Sequence, residues 1–243
     1  RSRLADPDPD AMTPPGLGVD VVDLRNPRTR GRHHNDRFVE RIFDPPEREL
    51  VMGATDPERA LWLHWAAKEA AFKAVGSSVH PEPPPIFDHS AFAVVEVAGD
   101  RAAVRWGDTR IDLVLHVDPR GRWIAALGQV DRLDPAVKWS VEEGEETAVR
   151  LGVPDEAALH ARLTPGEVTA SRGFVHALVR LAARTEVASR MEVEPDRLEI
   201  VSPRGPAGRV PPEVHLDGEL SDRVRVSLSH DGPLIAWATS VIS

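Results

Sequence analysis

The sequence predicts an α+β fold: a pseudo-dimer of two similar halves, each a small antiparallel sheet packed with a long helix. Three observations predict it. Segments recur in the same order along the chain, a signal of duplicated architecture. A helical stretch at 62–75 carries a smooth alanine arc opposite an arc of charged and aromatic residues. Short apolar runs of strand length follow that helix and its counterpart in the second half.

The first half, 16–131, opens on GVDVVDL at 18–24, a strand with Asp20 set between two valines. A basic loop follows, then RIFDPPERE at 41–49 and the helix WLHWAAKEAAFKAV at 62–75. FAVVEV (92–97), IDLVLHVD (111–118) and WIAALGQV (123–130) read as strands. The second half, 157–243, runs in parallel. ARLTPGEVT (161–169) echoes RIFDPPERE, and VRLAARTEVASR (179–190) echoes LHWAAKEAAFK. LEIV (198–201), VRVSLSHD (224–231) and LIAWATSV (234–241) supply the matching strands. The acidic stretch 132–156 reads as a linker region. Residues 1–15 read as a disordered leader or linker, and a start at Arg1 as a piece cut from something longer or a trimmed tag.

Aligning Trp65 with Leu181 sets Glu69 against Thr185 and Lys73 against Ser189. A carboxylate and a lysine survive in one half only, which is what a site built once, at the junction of two duplicated halves, would leave. At about 100° per residue, Trp62, Trp65, Lys68, Glu69 and Phe72 share an arc, with Lys73 at its edge. Charges on an aromatic arc are expected to line a cleft. The alternative is a solvated Glu69–Lys73 pair at i,i+4, worth a few tenths of a kcal/mol. Ala66, Ala67, Ala70, Ala71 and Ala74 form the opposite arc, smooth enough to lie close on a sheet.

Composition bounds the function. The chain has 243 residues, 41% hydrophobic and 28% charged, enough for one large domain or two small ones. A net charge of −9 argues against a general nucleic-acid binder. With no cysteine there is no thiolate nucleophile, disulfide framework or zinc–sulfur site, consistent with a cytoplasmic protein. No apolar run is long enough to span a membrane. Against this acidic background Arg25, Arg28, Arg30, Arg32 and Arg37 form a basic loop, a landing site for phosphates or an acidic partner. His33 and His34 read as solvated, and His64 and His80 as ordinary polar contacts.

A strand aspartate flanked by valines is costly unless it is paired or bound to a metal. Asp20 and Glu69 are two carboxylates without other obvious ligands, which suits Mg²⁺, an ion that keeps waters and substrate phosphates in its shell. Lys73, one turn beyond Glu69, reaches the same phosphates. Such a set performs attack at phosphorus, where positioning and charge neutralisation supply most of the catalysis.

These residues resemble the 4′-phosphopantetheinyl transferases. That family carries a strand with G-x-D and later a helix with W/F-x-x-K-E-x-x-x-K. Here they read Gly18-Val19-Asp20 and Trp65-Ala-Ala-Lys68-Glu69-Ala-Ala-Phe-Lys73. A G-K/R-P turn before a strand ending in S-H has its counterpart in Gly208-Arg209-Val210-Pro211 and Ser229-His230. The resemblance covers about residues 16–243, with departures. The halves come in the opposite order from the long, surfactin-type members, and their further acidic ligand is Val22 here. Asp23 instead resembles the G-x-D-x-x-E strand of the small holo-acyl-carrier-protein synthases. Arg209 stands for the lysine of G-K-P, and the proline is displaced by one residue.

The resemblance implies transfer of the phosphopantetheine arm of coenzyme A to a serine of an acidic apo acyl carrier protein, releasing 3′,5′-ADP. Mg²⁺, for which Mn²⁺ can substitute, would sit on Asp20 and Glu69, with Asp23 a weaker ligand. Asp20, Glu69 and Lys73 would be catalytic, with Glu69 or a metal-bound water taking the serine proton. Lys68, Lys73, Arg209, Ser229, His230 and Trp65 would bind the co-substrate. His116 would mark the degenerate equivalent of the Ser-His strand. The basic loop would dock the carrier, alone or within a polyketide or fatty acid synthase; enediyne-type polyketide synthases carry a similar C-terminal transferase. The pseudo-dimer would work as a monomer. Two alternatives use the same residues differently: a non-catalytic carrier-binding domain, and a Mg²⁺-dependent pyrophosphate hydrolase.

Overall fold

β1 (Leu17–Asp23) is buried along its whole length, and everything else in the first half is arranged around it. The computed structural model describes residues 15–78, 88–205 and 208–242, and only the backbone at 204, 205, 208 and 209. The leader at 1–14 and His80 lie outside the described residues. After β1 come α1 (Asp36–Ile42), α2 (Pro45–Met52) and α3 (Pro57–Ser77), each started by a side-chain cap. Asn35, Asp44 and Asp56 accept from the first-turn amides, and Asp44 with Glu47 completes a capping box. β2 (Ala93–Ala98), β3 (Arg101–Trp106), β4 (Thr109–Val117) and β5 (Trp123–Val130) complete an antiparallel sheet of order β1-β5-β4-β3-β2.

The alanine arc of α3 lies on β1 and β5 as expected, and Ala66, Ala67, Ala70, Ala71 and Ala74 are all buried. The approach is so close that a Cβ on Gly18 would stand 1.9 Å from the Ala70 carbonyl oxygen. Only glycine fits there. The glycine of G-x-D is thus what lets the lysine and carboxylate of α3 come down beside Asp20.

The second half repeats the order. β6 (Lys138–Glu143) leads into α4 (Gly144–Leu151), α5 (Glu156–His160), α6 (Pro165–Ala170) and the long α7 (Phe174–Met191). Then follow β7 (Leu198–Val201), the small ladder of β8 (Arg204–Gly205) and β9 (Gly208–Arg209), β10 (Glu213–Leu216), β11 (Glu219–Leu220), β12 (Val224–Asp231) and β13 (Leu234–Val241). Its ladders run β6-β13-β12 and β7-β10-β11, the first half's order with a break between β12 and β10. One expectation is corrected here. The stretch 132–156 is not a mere linker, because β6 pairs with β13 and α4 packs on α7.

The halves meet along β1 and β12. The free edge of β1 donates Val19 N to Ser227 Oγ (2.9 Å), Val21 N to Ser229 Oγ (3.4 Å) and Asp23 N to Asp231 Oδ2 (2.8 Å). Side chains thereby cover an edge that would otherwise invite strand pairing. Leu17, Val19 and Val21 pack with Leu127, Leu234, Ala236 and Ala238 in an apolar layer shared by both halves.

Candidate active site

Because β1 alternates its side chains, Val19 and Val21 face the inter-half layer while Asp20 and Val22 face α3. Asp20 meets Lys73 there: Nζ donates to Asp20 Oδ1 at 2.8 Å and to the Val19 carbonyl at 2.9 Å. Ser229 on β12 donates to the same Oδ1 at 2.8 Å. A cleft of about 630 Å³ opens over these groups, lined by Asp20, Glu69 and Lys73 of the first half and by His176, Ser229, His230 and Asp231 of the second. Trp62, Trp65 and Phe38 form an aromatic wall, with Phe38 stacked on Trp65 at 5.8 Å. Arg28, Arg32 and Arg41 complete the rim.

Burial, then the neighbouring Asp20 carboxylate, pushes Glu69 up to about 7, against the opposing pull of Lys73. A carboxylate titrating there is poised as a general base near neutral pH. His89 Nε2 stands 3.9 Å from Glu69 Oε1. Burial, helped by Lys68 and Arg41, lowers the imidazole to about 4, so at neutral pH this is a dipolar contact and not an ion pair. Burial also lowers His230, reinforced by the nearby Lys73; its ring lies 5.1 Å from that of His176.

The expected site residues do not all assemble. Asp20, Glu69, Lys73, Trp65, Ser229 and His230 come together in the cleft. The Ser229 hydroxyl, expected to hold phosphate, instead spends its proton on Asp20. Asp23, expected as a weaker metal ligand, is absent from the cleft lining; Arg25 takes both of its carboxylate oxygens and bridges them to Glu143 on β6. Arg209 sits on β9, and its side chain lies outside the described residues. Phe72 leaves the cleft arc to pack edge-on against Phe92.

Lys68 is the clearest correction. It is fully buried, donating to Glu47 Oε2 at 2.6 Å, to the Ile42 carbonyl at 2.9 Å and to the His89 carbonyl at 3.0 Å. Adjacent helical residues stand 100° apart, so Lys68 and Glu69 cannot address the same space. The second half repeats the arrangement. Arg184 pairs with Glu167 at 2.5 Å and with the Arg162 carbonyl, and Glu167 closes the capping box of α6 as Glu47 does that of α2. Glu47 accepts from Val94 N, and Glu167 from Ile200 N. A feature kept in both halves ties helix, cap and strand together.

Strand register extends the comparison. Asp20 opposes Ala126 on β5 as Ser140 opposes Trp237 on β13, and His116 opposes Ala125 as Ser229 opposes Ala236. His116 does sit at the Ser229 position, stacked on Trp123 at 5.2 Å. The second cleft carries the hydroxyl side chains Ser140, Thr185 and Ser189 at the positions that match Asp20, Glu69 and Lys73, with Lys138, Glu142 and Glu186 elsewhere in its lining.

Among the described residues no group of three or more His, Cys, Asp and Glu side chains converges as a metal cage. Asp20 and Glu69 nonetheless suit a hard divalent cation. The two carboxylates are close enough for one to raise the other's pKa, and such an ion needs only one or two of them beside water and phosphate oxygens. Sequence reasoning missed His176 and His89, because neither belongs to a motif; the packing of α7 brings His176 to the cleft lining, and the turn before β2 sets His89 beside Glu69, outside that lining.

A family model described as the 4′-phosphopantetheinyl transferase superfamily matches residues 16–127. The holo-[acyl-carrier-protein] synthase of Azoarcus sp. (strain BH72) is 38% identical over 128 residues, covering 53% of this chain and 96% of that protein. The protein of the same name from Shewanella frigidimarina (strain NCIMB 400) is 36% identical over 64 residues, 26% of this chain and 51% of that protein. A solved holo-[acyl-carrier-protein] synthase from Neisseria meningitidis matches at 22% identity and a TM-score of 0.38, covering 48% of this chain and 98% of that one.

Proposed function

Because the chain belongs to the 4′-phosphopantetheinyl transferase superfamily, we propose that it moves the phosphopantetheine arm of coenzyme A onto a serine of an acidic apo acyl carrier protein, releasing 3′,5′-ADP in a Mg²⁺-dependent reaction. One observation carries the reading: Asp20, Glu69 and Lys73 of one half face Ser229 and His230 of the other across a single cleft.

Asp20 and Glu69 would hold the divalent cation, which when bound supplies charge neutralisation on the pyrophosphate. Lys73, already at Asp20, adds a positive charge beside the phosphates. His230, with Arg28 and Arg32 on the rim, binds the nucleotide phosphates. Glu69 removes the proton from the carrier serine as its oxygen attacks the β-phosphorus. The phosphorus–oxygen bond to the leaving 3′,5′-ADP breaks, that oxygen takes the electron pair, and the proton on Glu69 passes to solvent.

Arg30 and Arg37 stand exposed beyond the cleft residues Arg28 and Arg32, a basic surface for the acidic carrier. Because both sides of the cleft come from one chain, a monomer suffices, acting in the cytoplasm.

The test is the intact mass of an apo acyl carrier protein after incubation with this protein, coenzyme A and Mg²⁺. A gain of one phosphopantetheine, abolished by chelator, is the expected result. Coenzyme A consumed without a gain would replace the reading with hydrolysis. No change in either would leave a carrier-binding domain.

A further inference from the structure

The duplicated chain contains its own control. Residues retained in both halves, such as the Lys68–Glu47 and Arg184–Glu167 pairs, hold the fold. Residues present in one half only, at matched positions, mark chemistry: Asp20 against Ser140 by register, Glu69 against Thr185 and Lys73 against Ser189 on the helices.

His89 falls in the second group. It opens the 3₁₀ turn His89–Ala91 that leads into β2, and Pro195 opens the matching turn Pro195–Arg197 that leads into β7. The match is fixed by the shared anchor: Val94 N binds Glu47 where Ile200 N binds Glu167, each five residues after its turn begins. The second half therefore keeps the turn and lacks the imidazole, just as it lacks the carboxylate that the imidazole faces.

In the first half the fold-holding pair also meets the turn that carries this ring. Lys68 Nζ donates to the His89 carbonyl at 3.0 Å, and Glu47 holds Lys68 in turn. The imidazole packs on Trp65 at 4.6 Å. Trp65 lies one turn before Glu69 on α3, so one helix presents both the ring's support and its target. Nε2 ends 3.9 Å from Glu69 Oε1. That is longer than a hydrogen bond, and contacts of catalytic groups are commonly long before substrate binds.

We propose that His89 is a positioning residue: its imidazole fixes the carboxylate of Glu69 for proton removal and does not itself meet substrate. Lys68 then acts at one remove, through the turn that carries His89. This rests on the transferase reading of the cleft, and the experiment separates the two.

Initial rates of transfer to an apo acyl carrier protein are measured for the wild type, His89→Ala, His89→Gln, Glu69→Gln and the double variant His89→Ala/Glu69→Gln, with melting temperatures for each. His89→Ala should lower kcat about 10- to 100-fold, the range for residues that orient a functional ligand. KM for coenzyme A should stay within about twofold, and His89→Gln, which can still present an N–H, should recover most of the rate. The double variant should be no slower than Glu69→Gln alone, because an orienting residue has nothing left to orient. An active wild type with His89→Ala at full rate overturns the proposal. So does a double variant slowed by both factors together, or a loss that follows the melting temperature and is not recovered by Gln. A wild type that transfers nothing would instead remove the transferase reading on which the proposal stands.

Discussion

Ser229 of the second half donates a 2.8 Å hydrogen bond to Oδ1 of Asp20 in the first, the same oxygen that receives Lys73. The oxygen is buried, and its two donors come from different halves. The site is thereby a property of the junction: neither half alone can fix the orientation of Asp20.

Removing that donor should cost both fold and function. Ser229→Ala leaves a buried carboxylate oxygen short of one partner, a loss of about 1–3 kcal/mol. We expect kcat/KM to fall about tenfold or more, and Ser229→Thr, which keeps the hydroxyl, to recover most of it. Steady-state transfer kinetics check this.

Lys68 should behave in the opposite way. Lys68→Ala leaves Glu47 buried without its cation, a defect costing about 3–5 kcal/mol, and Arg184→Ala should do the same through Glu167. Urea denaturation should report similar losses at the two sites. If Lys68 held phosphate, Lys68→Ala would raise KM for coenzyme A with stability unchanged.

Glu69 couples stability to pH. Its carboxylate binds a proton more tightly in the native state, at about 7, than in the unfolded chain, where an ordinary carboxyl titrates near 4.3. Native stability contributed by the protonated form is complete below the lower value and is lost as pH rises through the higher one. Glu69→Gln should therefore match the wild type at pH 4 and exceed it at pH 8, by up to about 4 kcal/mol in chelator. Mg²⁺ should then raise the wild-type melting temperature at pH 8 more than that of the variant.

The exposed arginines of the basic loop, Arg30 and Arg37, should govern the carrier and leave coenzyme A alone. Reversing Arg30 and Arg37 to Glu should raise KM for the carrier roughly tenfold, and the wild-type KM should itself rise with salt. Equal changes in both Michaelis constants would place Arg30 and Arg37 in the co-substrate site.

Much of this was legible in the sequence, for identifiable reasons. The alanine arc of α3 and the glycine of G-x-D are two sides of one close contact, so the motif that names the chemistry also encodes the packing. The repeat was readable because strand order, caps and one buried ion pair persist in both halves. Lys68 was misread because a motif records which residues recur and not which way they point. β6 was misread as linker because it is an edge strand: Trp139 and Val141 meet the inter-half layer while a lysine, a serine and two glutamates occupy its other positions. The ion pair that folds Arg25 back over Asp23 gave no signal in the sequence. His89 gave no signal, since its place depends on a turn anchored from another helix.

The most direct test of the central claim follows carrier mass with time for the wild type, Glu69→Gln and His230→Ala, at limiting and saturating coenzyme A. If one cleft between the halves performs the transfer, Glu69→Gln should lose transfer at both concentrations, whereas His230→Ala should be slow at limiting coenzyme A and recover at saturation. Wild-type rates in both variants would contradict the account.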